Sequence, residues 1–419
     1  MKQALEVKKD LYWVGALDFD LRVFDIIMYS DYGTTYNSYI LKGEDKTVLF
    51  EVVKEKFFDE FMERASQVCD PAKIDCVVVS HTEPDHAGAL AKLLKINPEL
   101  EVIGSANAIK YLKNITNMTF KSRTIKDNET MNIAGRTLRF LSVPLLHWPD
   151  TIYTYIEEEK VLVTCDSFGC HYADEKVFND KMDNIDDLLI AYKYYFDCIM
   201  GPFKSCVLRA LDKIKPLEID VICNGHGPVL RKDIDKFIDL YRQWSQPLHM
   251  ERPKVVVGYL SSYGYTKKAA EKIHEGLKLN EQVETHFYNL EEISVADFVA
   301  QVQDAKGLIL GCPTFLADAL PPIHEILGHL NPVIHKGLLA ASFGSYGWSG
   351  EAVKNMDARF KQLKLKMPVP SLQICFNPDD NDLASAKMLG QKFAEAVVVA
   401  RNERIVCACD EFGCEIELS

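Results

Sequence analysis

Residues 75–86 read Asp75-Cys76-Val77-Val78-Val79-Ser80-His81-Thr82-Glu83-Pro84-Asp85-His86. The first half of this stretch is a short apolar run of the kind that forms a buried strand. The second half places two imidazoles and two carboxylates within six residues. Imidazole together with carboxylate is typical of iron, zinc or manganese sites. The stretch therefore predicts a metal-binding loop directly after a buried strand.

Three more ligand-type residues follow other predicted strands. His147 comes after the run 137–143, Asp166 after 160–164 and His226 after 219–223. Residues at the ends of neighbouring strands can meet at one edge of a sheet. A lone His or Asp in such a place is more often a helix cap or a solvated loop residue. The whole set, with H-x-E-x-D-H at its head, favours one shared metal site over that alternative.

The two halves of the chain differ in pattern. Before about residue 245, strand-like and helical runs are mixed, which predicts two sheets with helices outside. After a plausible linker at 248–253, strands alternate regularly with helices, beginning with the strand 254–259 and the helix 266–279. This alternation predicts a doubly wound parallel sheet. We therefore expect one domain at 1–250 and a second at 251–419.

Three loops in the second half have the composition of a flavin site. The first, 261–266, is rich in hydroxyls and opens a helix, where backbone N–H groups and Ser or Thr donors can bind a phosphate. It contains neither a Walker lysine nor G-x-G-x-x-G, so a phosphomonoester such as that of FMN fits better than a nucleoside triphosphate or a dinucleotide. The loops 311–317 and 342–350 follow later strands and add aromatics and glycines that could sandwich a planar ring. Ordinary surface turns are the weaker alternative.

Composition excludes several classes of protein. The 419 residues include 48 Lys and Arg against 61 Asp and Glu, a net charge of −13, which argues against non-specific binding to nucleic acid or to an anionic membrane. We see no apolar run of the ~18 residues that a membrane span needs and no signal peptide, so we expect a cytoplasmic protein. The 12 cysteines are too sparse for a disulfide scaffold. The cluster Cys407, Cys409 and Cys414 favours structural or surface thiols over a metal site.

With these motifs, the whole chain resembles a flavodiiron protein, also called an A-type flavoprotein. The first half resembles the metallo-β-lactamase fold and the second half resembles flavodoxin. Zinc hydrolases of the first superfamily carry H-x-H-x-D-H, whereas Glu83 stands here for the second His, as in the di-iron branch. The stretch 344–350 is similar to the third flavin loop of the family. The resemblance implies an α/β protein, with an αββα sandwich followed by a flavodoxin-like doubly wound parallel sheet.

The resemblance also implies FMN and two iron ions as cofactors. It assigns His81, Glu83 and His147 to one iron, Asp85 and His226 to the other, and Asp166 as the bridge. His86 is usually not a ligand in the family, and with His171 it is a candidate for orienting ligands or supplying protons. Tyr194 and Tyr195 could place a hydroxyl near the site, although core packing explains each equally well. The residues expected to bind flavin are Ser261, Ser262, Tyr263, Gly264, Tyr265, Thr266, Pro313, Thr314, Phe315, Leu316, Ala317, Ser342, Gly344, Ser345, Tyr346, Gly347 and Trp348.

The implied function is reduction of dioxygen to water, of nitric oxide to nitrous oxide, or both. The chain carries no rubredoxin or flavin-reductase extension, so we expect a separate electron donor such as a rubredoxin, a ferredoxin or a reduced deazaflavin. Flavin and metals of one chain are too far apart in this family, which implies a head-to-tail homodimer, or a dimer of two such dimers. Many relatives read Arg-x-Phe-His where this chain has Arg22-Val23-Phe24-Asp25. That departure leaves the preferred gas open.

Two other functions fit parts of the sequence. A zinc hydrolase fused to a flavodoxin module would use the same ligand types, although Glu83 argues against it, and metal analysis would decide. A gas sensor or an electron carrier would keep both cofactors without catalytic turnover, because a fold does not fix a function.

Overall fold

The computed structural model describes residues 2–25, 28–246, 252–332 and 335–400. Most of the predicted linker and the cysteines Cys407, Cys409 and Cys414 lie outside these ranges. The chain divides into two compact units, Met1–Gln246 and Pro247–Ser419. The domain boundary expected between residues 250 and 251 remains a prediction. Each unit is considered by itself below.

The first unit contains sixteen strands and seven α-helices within its described residues. The strands, β1 to β16, are Leu5–Lys8, Leu11–Trp13, Ala16–Asp18, Val23–Phe24, Met28–Tyr29, Thr34–Tyr36, Tyr39–Lys42, Thr47–Phe50, Cys76–Val78, Glu101–Gly104, Lys121–Thr124, Thr130–Ile133, Arg136–Ser142, Ile152–Ile156, Val161–Cys165 and Val221–Asn224. The helices, α1 to α7, are Phe58–Val68, Pro84–Ala87, Leu90–Ile96, Ala106–Thr116, Ile185–Tyr195, Lys204–Ile214 and Ile234–Ser245.

Two sheets form the centre of the first unit. One has seven strands in the order β1-β2-β7-β8-β9-β10-β11, and the other has five in the order β12 to β16. A buried cluster with Phe50 and Val78 from the first sheet and Phe140 and Val163 from the second fills the space between them. A second cluster packs helices α1, α3 and α4 against the other face of the seven-stranded sheet. The predicted αββα sandwich is therefore confirmed.

The sheets bring the predicted ligand loops together through their strand ends. Strand β9 lies between β8 and β10 and is parallel to both, and the loop that begins at His81 follows its carboxyl end. Strand β15 is parallel to β16, so Asp166 and His226, which follow these two strands, lie at the same sheet edge. Parallel pairing thus places Asp166 and His226 at one edge of the five-stranded sheet, while His81 follows a strand of the seven-stranded sheet.

Apolar spacing over 87–94 predicts one helix after the metal-binding loop, but the chain is divided there. It forms the short helix α2 and then α3, with Gly88 between them. A Cβ atom at Gly88 would lie 2.3 Å from the carbonyl oxygen of Pro84. The chain therefore passes close to its own backbone at this glycine, which local apolar spacing does not reveal.

The second unit has a flavodoxin-like sheet. Its strands, β17 to β21, are Lys254–Tyr259, Glu284–Asn289, Gly307–Gly311, Leu339–Tyr346 and Leu372–Cys375. Its helices, α8 to α12, are Tyr265–Lys278, Val295–Gln303, Pro321–His329, Glu351–Gln362 and Asp380–Ala400. The strand order is β18-β17-β19-β20-β21 and every pair is parallel, which confirms the doubly wound sheet. In this order, ligands bind beyond the carboxyl ends of the strands.

Helices α8 and α12 pack at two glycines. A Cβ atom at Gly390 would lie 2.1 Å from the carbonyl oxygen of Ile273, and one at Gly276 would lie 2.0 Å from that of Lys387. We expect Gly390→Ala to lower the free energy of unfolding of this unit by ~1–3 kcal/mol, because the helices must separate. The matched control Gly328→Ala, where a Cβ meets open space on α10, should be neutral or raise it by up to ~1 kcal/mol. Urea unfolding of the full chain measures both, and equal effects would contradict this packing account.

Candidate metal centre

Four of the predicted ligands form one group of side chains at the sheet edge. His81, Glu83, His147 and Asp166 each direct a donor atom into this group. The Nε2 atoms of His81 and His147 lie 3.2 and 3.1 Å from Oε2 of Glu83. Both Nε2 atoms also lie 3.4 Å from Oδ2 of Asp166. We call these four residues the first position.

Three more residues form a second group on the other side of Asp166. Asp85, His86 and His226 bring their donor atoms within 4.8 Å of one another. Nε2 of His226 lies 3.0 Å from Oδ2 of Asp85 and 3.4 Å from Oδ1 of Asp166. Nε2 of His86 lies 3.0 Å from the same Oδ1. We call this group the second position, and the two oxygens of Asp166 each face one position.

The donor atoms fit a pair of metal cations. Both oxygens of Asp85 and Oδ2 of Asp166 are buried and make no hydrogen bond with any described residue. Buried carboxylate oxygens without a donor carry a large desolvation cost unless a cation compensates them. Imidazole nitrogens and carboxylate oxygens in this number suit iron. The residues present therefore fit the two irons that the family resemblance implies.

The imidazoles and carboxylates of the centre shift one another's pKa values. Burial opposes protonation of His81, but the neighbouring carboxylates of Asp150 and Glu83 raise its pKa to about 10. Burial alone would raise the pKa of Asp166, but the surrounding imidazoles hold it well below its usual range. The neighbouring carboxylates thus favour a protonated His81, and a metal bound at its Nε2 would displace that proton.

Solvent reaches the centre at the first position. Glu83 and His147 keep 17% of their side-chain surface exposed within this unit. The side chains of the second position and that of Asp166 are at most 6% exposed. His81 is fully buried and contacts the Trp148 ring edge-on at a centroid distance of 5.0 Å. Trp148 therefore packs against the imidazole of His81 at the first position.

The two predicted tyrosines have different environments. The Tyr195 hydroxyl is buried and donates a hydrogen bond of 3.0 Å to Oδ1 of Asp166. Tyr194 is 41% exposed, and its side chain is near Tyr29 and Cys198. Tyr195 thus contacts the shared carboxylate, whereas no contact between Tyr194 and the centre is found among the described residues.

His171 lies beside the second position. Its ring centroid is 5.4 Å from that of His226 and 4.9 Å from that of Tyr195. Nδ1 forms a 2.9 Å hydrogen bond with the Thr34 hydroxyl, while the buried Nε2 has no partner in the described ranges. Burial lowers the pKa of His171 to about 3, so the ring is neutral near neutral pH.

Asp25 places a further carboxyl group next to the first position. It adopts a φ of 46° after the buried Phe24, whose ring packs 4.2 Å from that of His171. Burial, a hydrogen bond with Glu83 and the charge of that carboxylate raise the pKa of Asp25 to about 6. The residue that departs from the family pattern therefore interacts directly with a predicted ligand.

Several groups behind the ligands were not predicted. The Thr35 carbonyl lies 2.6 Å from Nδ1 of His226, and Sγ of Cys165 lies 3.4 Å from Nδ1 of His86. The buried Asp150 accepts the backbone N–H of Thr82 at 2.8 Å. Thr35 is remote in sequence from His226, so no motif identifies it. Asp150 follows His147 by three residues, and this proximity is the one sequence signal that could have identified Asp150.

The three predicted flavin loops lie side by side at the carboxyl edge of the parallel sheet of the second unit. The hydroxyls of Thr266 and Ser345 form a 2.8 Å hydrogen bond that joins the first loop to the third. The Thr314 N–H donates to the Ser345 carbonyl at 2.9 Å and joins the second loop to the third. Gly264 has a φ of 83° at the start of helix α8, a conformation that glycine adopts without strain.

Large apolar side chains of these loops are exposed. Leu316, Trp348 and Tyr263 are 99%, 97% and 79% exposed. Such exposed apolar groups at a switch-point edge fit a surface that a planar ring covers. Ser342 is fully buried and its hydroxyl donates to Asp357, so its side chain is not available to a ligand.

Comparison with known proteins agrees with both units. Residues 34–227 match the family described as ODP family beta lactamase, and residues 257–390 match flavodoxin. The chain is 37% identical over 400 residues to flavo-diiron protein FprA2 of Clostridium acetobutylicum, covering 94% of this chain and 100% of that protein. The chain belongs to the flavodiiron protein family. This membership implies FMN and a non-haem di-iron centre as the cofactors of an oxidoreductase.

Two other relatives carry names that describe an activity. A nitric oxide reductase of Moorella thermoacetica is 33% identical over 95% of this chain and 100% of its own length. The structure of rubredoxin oxygen:oxidoreductase from Desulfovibrio gigas aligns with a TM-score of 0.69 and 27% identity, covering 96% of this chain and 100% of that one. The names differ in the gas, so membership of the flavodiiron family does not select between them. No helix in the described ranges of this flavodiiron protein has the length and apolar character of a membrane span.

Proposed function

We propose that this flavodiiron protein reduces dioxygen to water, nitric oxide to nitrous oxide, or both, at a di-iron centre that receives electrons from FMN. One observation carries the proposal: the two oxygens of Asp166 face two separate groups of ligands. A carboxylate placed in this way can hold two metal ions side by side. Two adjacent redox metals, when bound, can bind a diatomic gas and supply electrons to it.

The residues of the centre would divide between the two ions. His81, Glu83 and His147 would hold the first iron, and Asp85 and His226 the second, with Asp166 shared. The short distance between His86 Nε2 and Asp166 favours His86 as a further ligand of the second iron. If His86 is a ligand, other residues would have to orient the metal ligands by hydrogen bonds.

The protein itself would supply geometry and protons. Reduction of dioxygen to two waters consumes four electrons and four protons, whereas two nitric oxide molecules need two of each to give nitrous oxide and water. Tyr195 holds the shared carboxylate by its hydrogen bond. Asp25 is a carboxyl group whose pKa near 6 allows it to exchange protons close to neutral pH. His171 would orient groups near the second position through hydrogen bonds of its neutral ring.

The flavin would bind at the three loops of the second unit. The first loop offers hydroxyls and the N-terminus of helix α8 to the phosphate. The exposed Tyr263 and Trp348 would cover the ring system. We further propose a cytoplasmic location, a separate electron donor such as a rubredoxin or a reduced cofactor, and a head-to-tail homodimer in which each flavin serves the irons of the partner chain.

Gas consumption tests this function. Dioxygen and nitric oxide are supplied in separate vessels to protein prepared anaerobically, with the same saturating artificial donor. Turnover of dioxygen without peroxide release, or of nitric oxide with nitrous oxide as product, supports the proposal, and the faster rate identifies the preferred gas. Absence of turnover with both gases in a protein that contains iron and FMN would contradict it and favour a sensor or an electron carrier.

A further inference from the structure

Three imidazoles of the metal centre direct Nε2 toward the carboxylates of the centre. Their other ring nitrogen, Nδ1, faces a different kind of group in each case. Nδ1 of His226 faces a backbone carbonyl, and Nδ1 of His86 faces the thiol of Cys165. Nδ1 of His81 faces the carboxylate of Asp150. Of these three imidazoles, His81 alone has a carboxylate behind it.

Hydrogen bonds from Thr82 and Ser105 hold Asp150 in place. Its Oδ2 accepts the N–H of Thr82 at 2.8 Å, and its backbone carbonyl accepts the Ser105 hydroxyl at 2.9 Å. Its Oδ1 lies 3.6 Å from Nδ1 of His81, just beyond the length of a hydrogen bond. Both atoms are buried, and neither makes a hydrogen bond with any other described residue. A buried acceptor and a buried ring nitrogen therefore face each other with no competing partner in the described chain.

We propose that Asp150 is a positioning residue of the first position, where its carboxylate accepts the Nδ1 proton of His81 and keeps the Nε2 lone pair directed at the metal. Histidines that bind metals commonly donate their second N–H to a carboxylate, which fixes the tautomer and strengthens the ligand. The inference rests on the metal centre proposed above. Asp150 does not take part in the reaction itself.

The arrangement makes the two positions unequal. The first position is supported by a charged acceptor behind His81, which forms a stronger hydrogen bond than a neutral one. The second is supported by a thiol, which is a weak acceptor, and by a neutral carbonyl. Loss of the Asp150 charge should therefore weaken metal binding at one position and leave the other nearly unchanged.

Zinc titration of the metal-free full chain tests this inference, because Zn²⁺ is diamagnetic and redox-inert. Asp150→Asn keeps the shape of the side chain and an oxygen for the Thr82 N–H but removes the charge. We expect one of the two zinc dissociation constants to rise by ~10–100-fold, with the other changing less than about threefold. His147→Ala, which removes a ligand of the first position, identifies the constant that belongs to that position.

Nuclear magnetic resonance of the zinc-loaded wild-type chain gives a readout that needs no variant. With ¹⁵N-labelled histidine, we expect His81 to carry its proton on Nδ1. An equal rise of both constants in Asp150→Asn would mean that Asp150 only holds the loop through Thr82, and would overturn the inference. No change in either constant, or a proton on Nε2 of His81, would also overturn it. Failure of the metal centre itself looks different, because wild-type protein would then bind fewer than two zinc ions per chain.

Discussion

Asp166→Asn is expected to weaken metal binding at both positions of the centre. The carboxylate of Asp166 presents Oδ2 to His81 and His147 and Oδ1 to His86 and His226. The amide of asparagine keeps one oxygen, offers a nitrogen that cannot serve as the second ligand, and removes the negative charge between the two cations. Because changes even behind a ligand cost 10–100-fold in affinity, we expect a loss of at least ~100-fold at each position. Turnover of either gas should fall with the metal.

Two further variants make this result specific. His147→Ala removes a ligand of the first position alone, so one ion per chain should remain tightly bound. Asp183→Asn changes an exposed carboxylate that pairs with Lys176, and metal content should equal that of the wild type. Metal content is measured by plasma emission spectroscopy after passage over a chelating column, with circular dichroism as the check on folding. Retention of two ions by folded Asp166→Asn would refute its role as the shared ligand.

Ser262→Asp is expected to prevent stable binding of FMN. Ser262 is an exposed residue of the first flavin loop, just before helix α8. A carboxylate there would stand against the phosphate that the loop is proposed to bind. Two like charges ~4 Å apart near a protein surface repel by ~4 kcal/mol. Even half of that repulsion would lower the affinity for FMN by about 30-fold. Fluorescence titration of the flavin-free protein with FMN measures the change.

Ser294→Asp is the matched control for this variant. Ser294 caps helix α9 in the same unit, where its hydroxyl accepts the Asp297 N–H at 3.1 Å. Aspartate is also a good N-cap, which offsets its repulsion from the nearby Asp297 carboxylate at this exposed helix end, so FMN affinity should stay within about threefold of the wild type. If Ser262→Asp and the wild type bound FMN with equal affinity, the first loop would not be the phosphate-binding loop.

The sequence was sufficient to predict the parts of the fold that local pattern controls. Apolar runs identified β9, β15 and β16 because these strands are buried on both faces. Regular alternation after residue 254 identified the doubly wound sheet. Strand β11, with the sequence KSRT, was not recognised because its residues are polar and mostly exposed at the sheet edge. Its pairing with β10 depends on backbone hydrogen bonds, which carry no side-chain signature.

In the metal centre, too, local sequence predicts some features and tertiary packing determines the others. The residues predicted as ligands gather into two groups because each follows a strand whose end lies at the site. The groups behind them could not be predicted, since Thr35 and Cys165 reach their imidazoles through the packing of distant elements. The relation of Asp25 to Glu83 is also a tertiary contact, which the motif Arg22–Asp25 alone does not define. Motifs thus identify the ligands, while the fold determines how each is oriented.

The most direct test of the di-iron centre is the Mössbauer spectrum of the full chain loaded with ⁵⁷Fe and oxidised by air. We expect two irons per chain, held next to each other by the shared Asp166, whose antiferromagnetic coupling would give the ferric pair a diamagnetic ground state without magnetic splitting at low temperature. Isolated high-spin ferric ions with full magnetic splitting, or a chain that retains zinc and excludes iron, would contradict a di-iron centre built on this carboxylate.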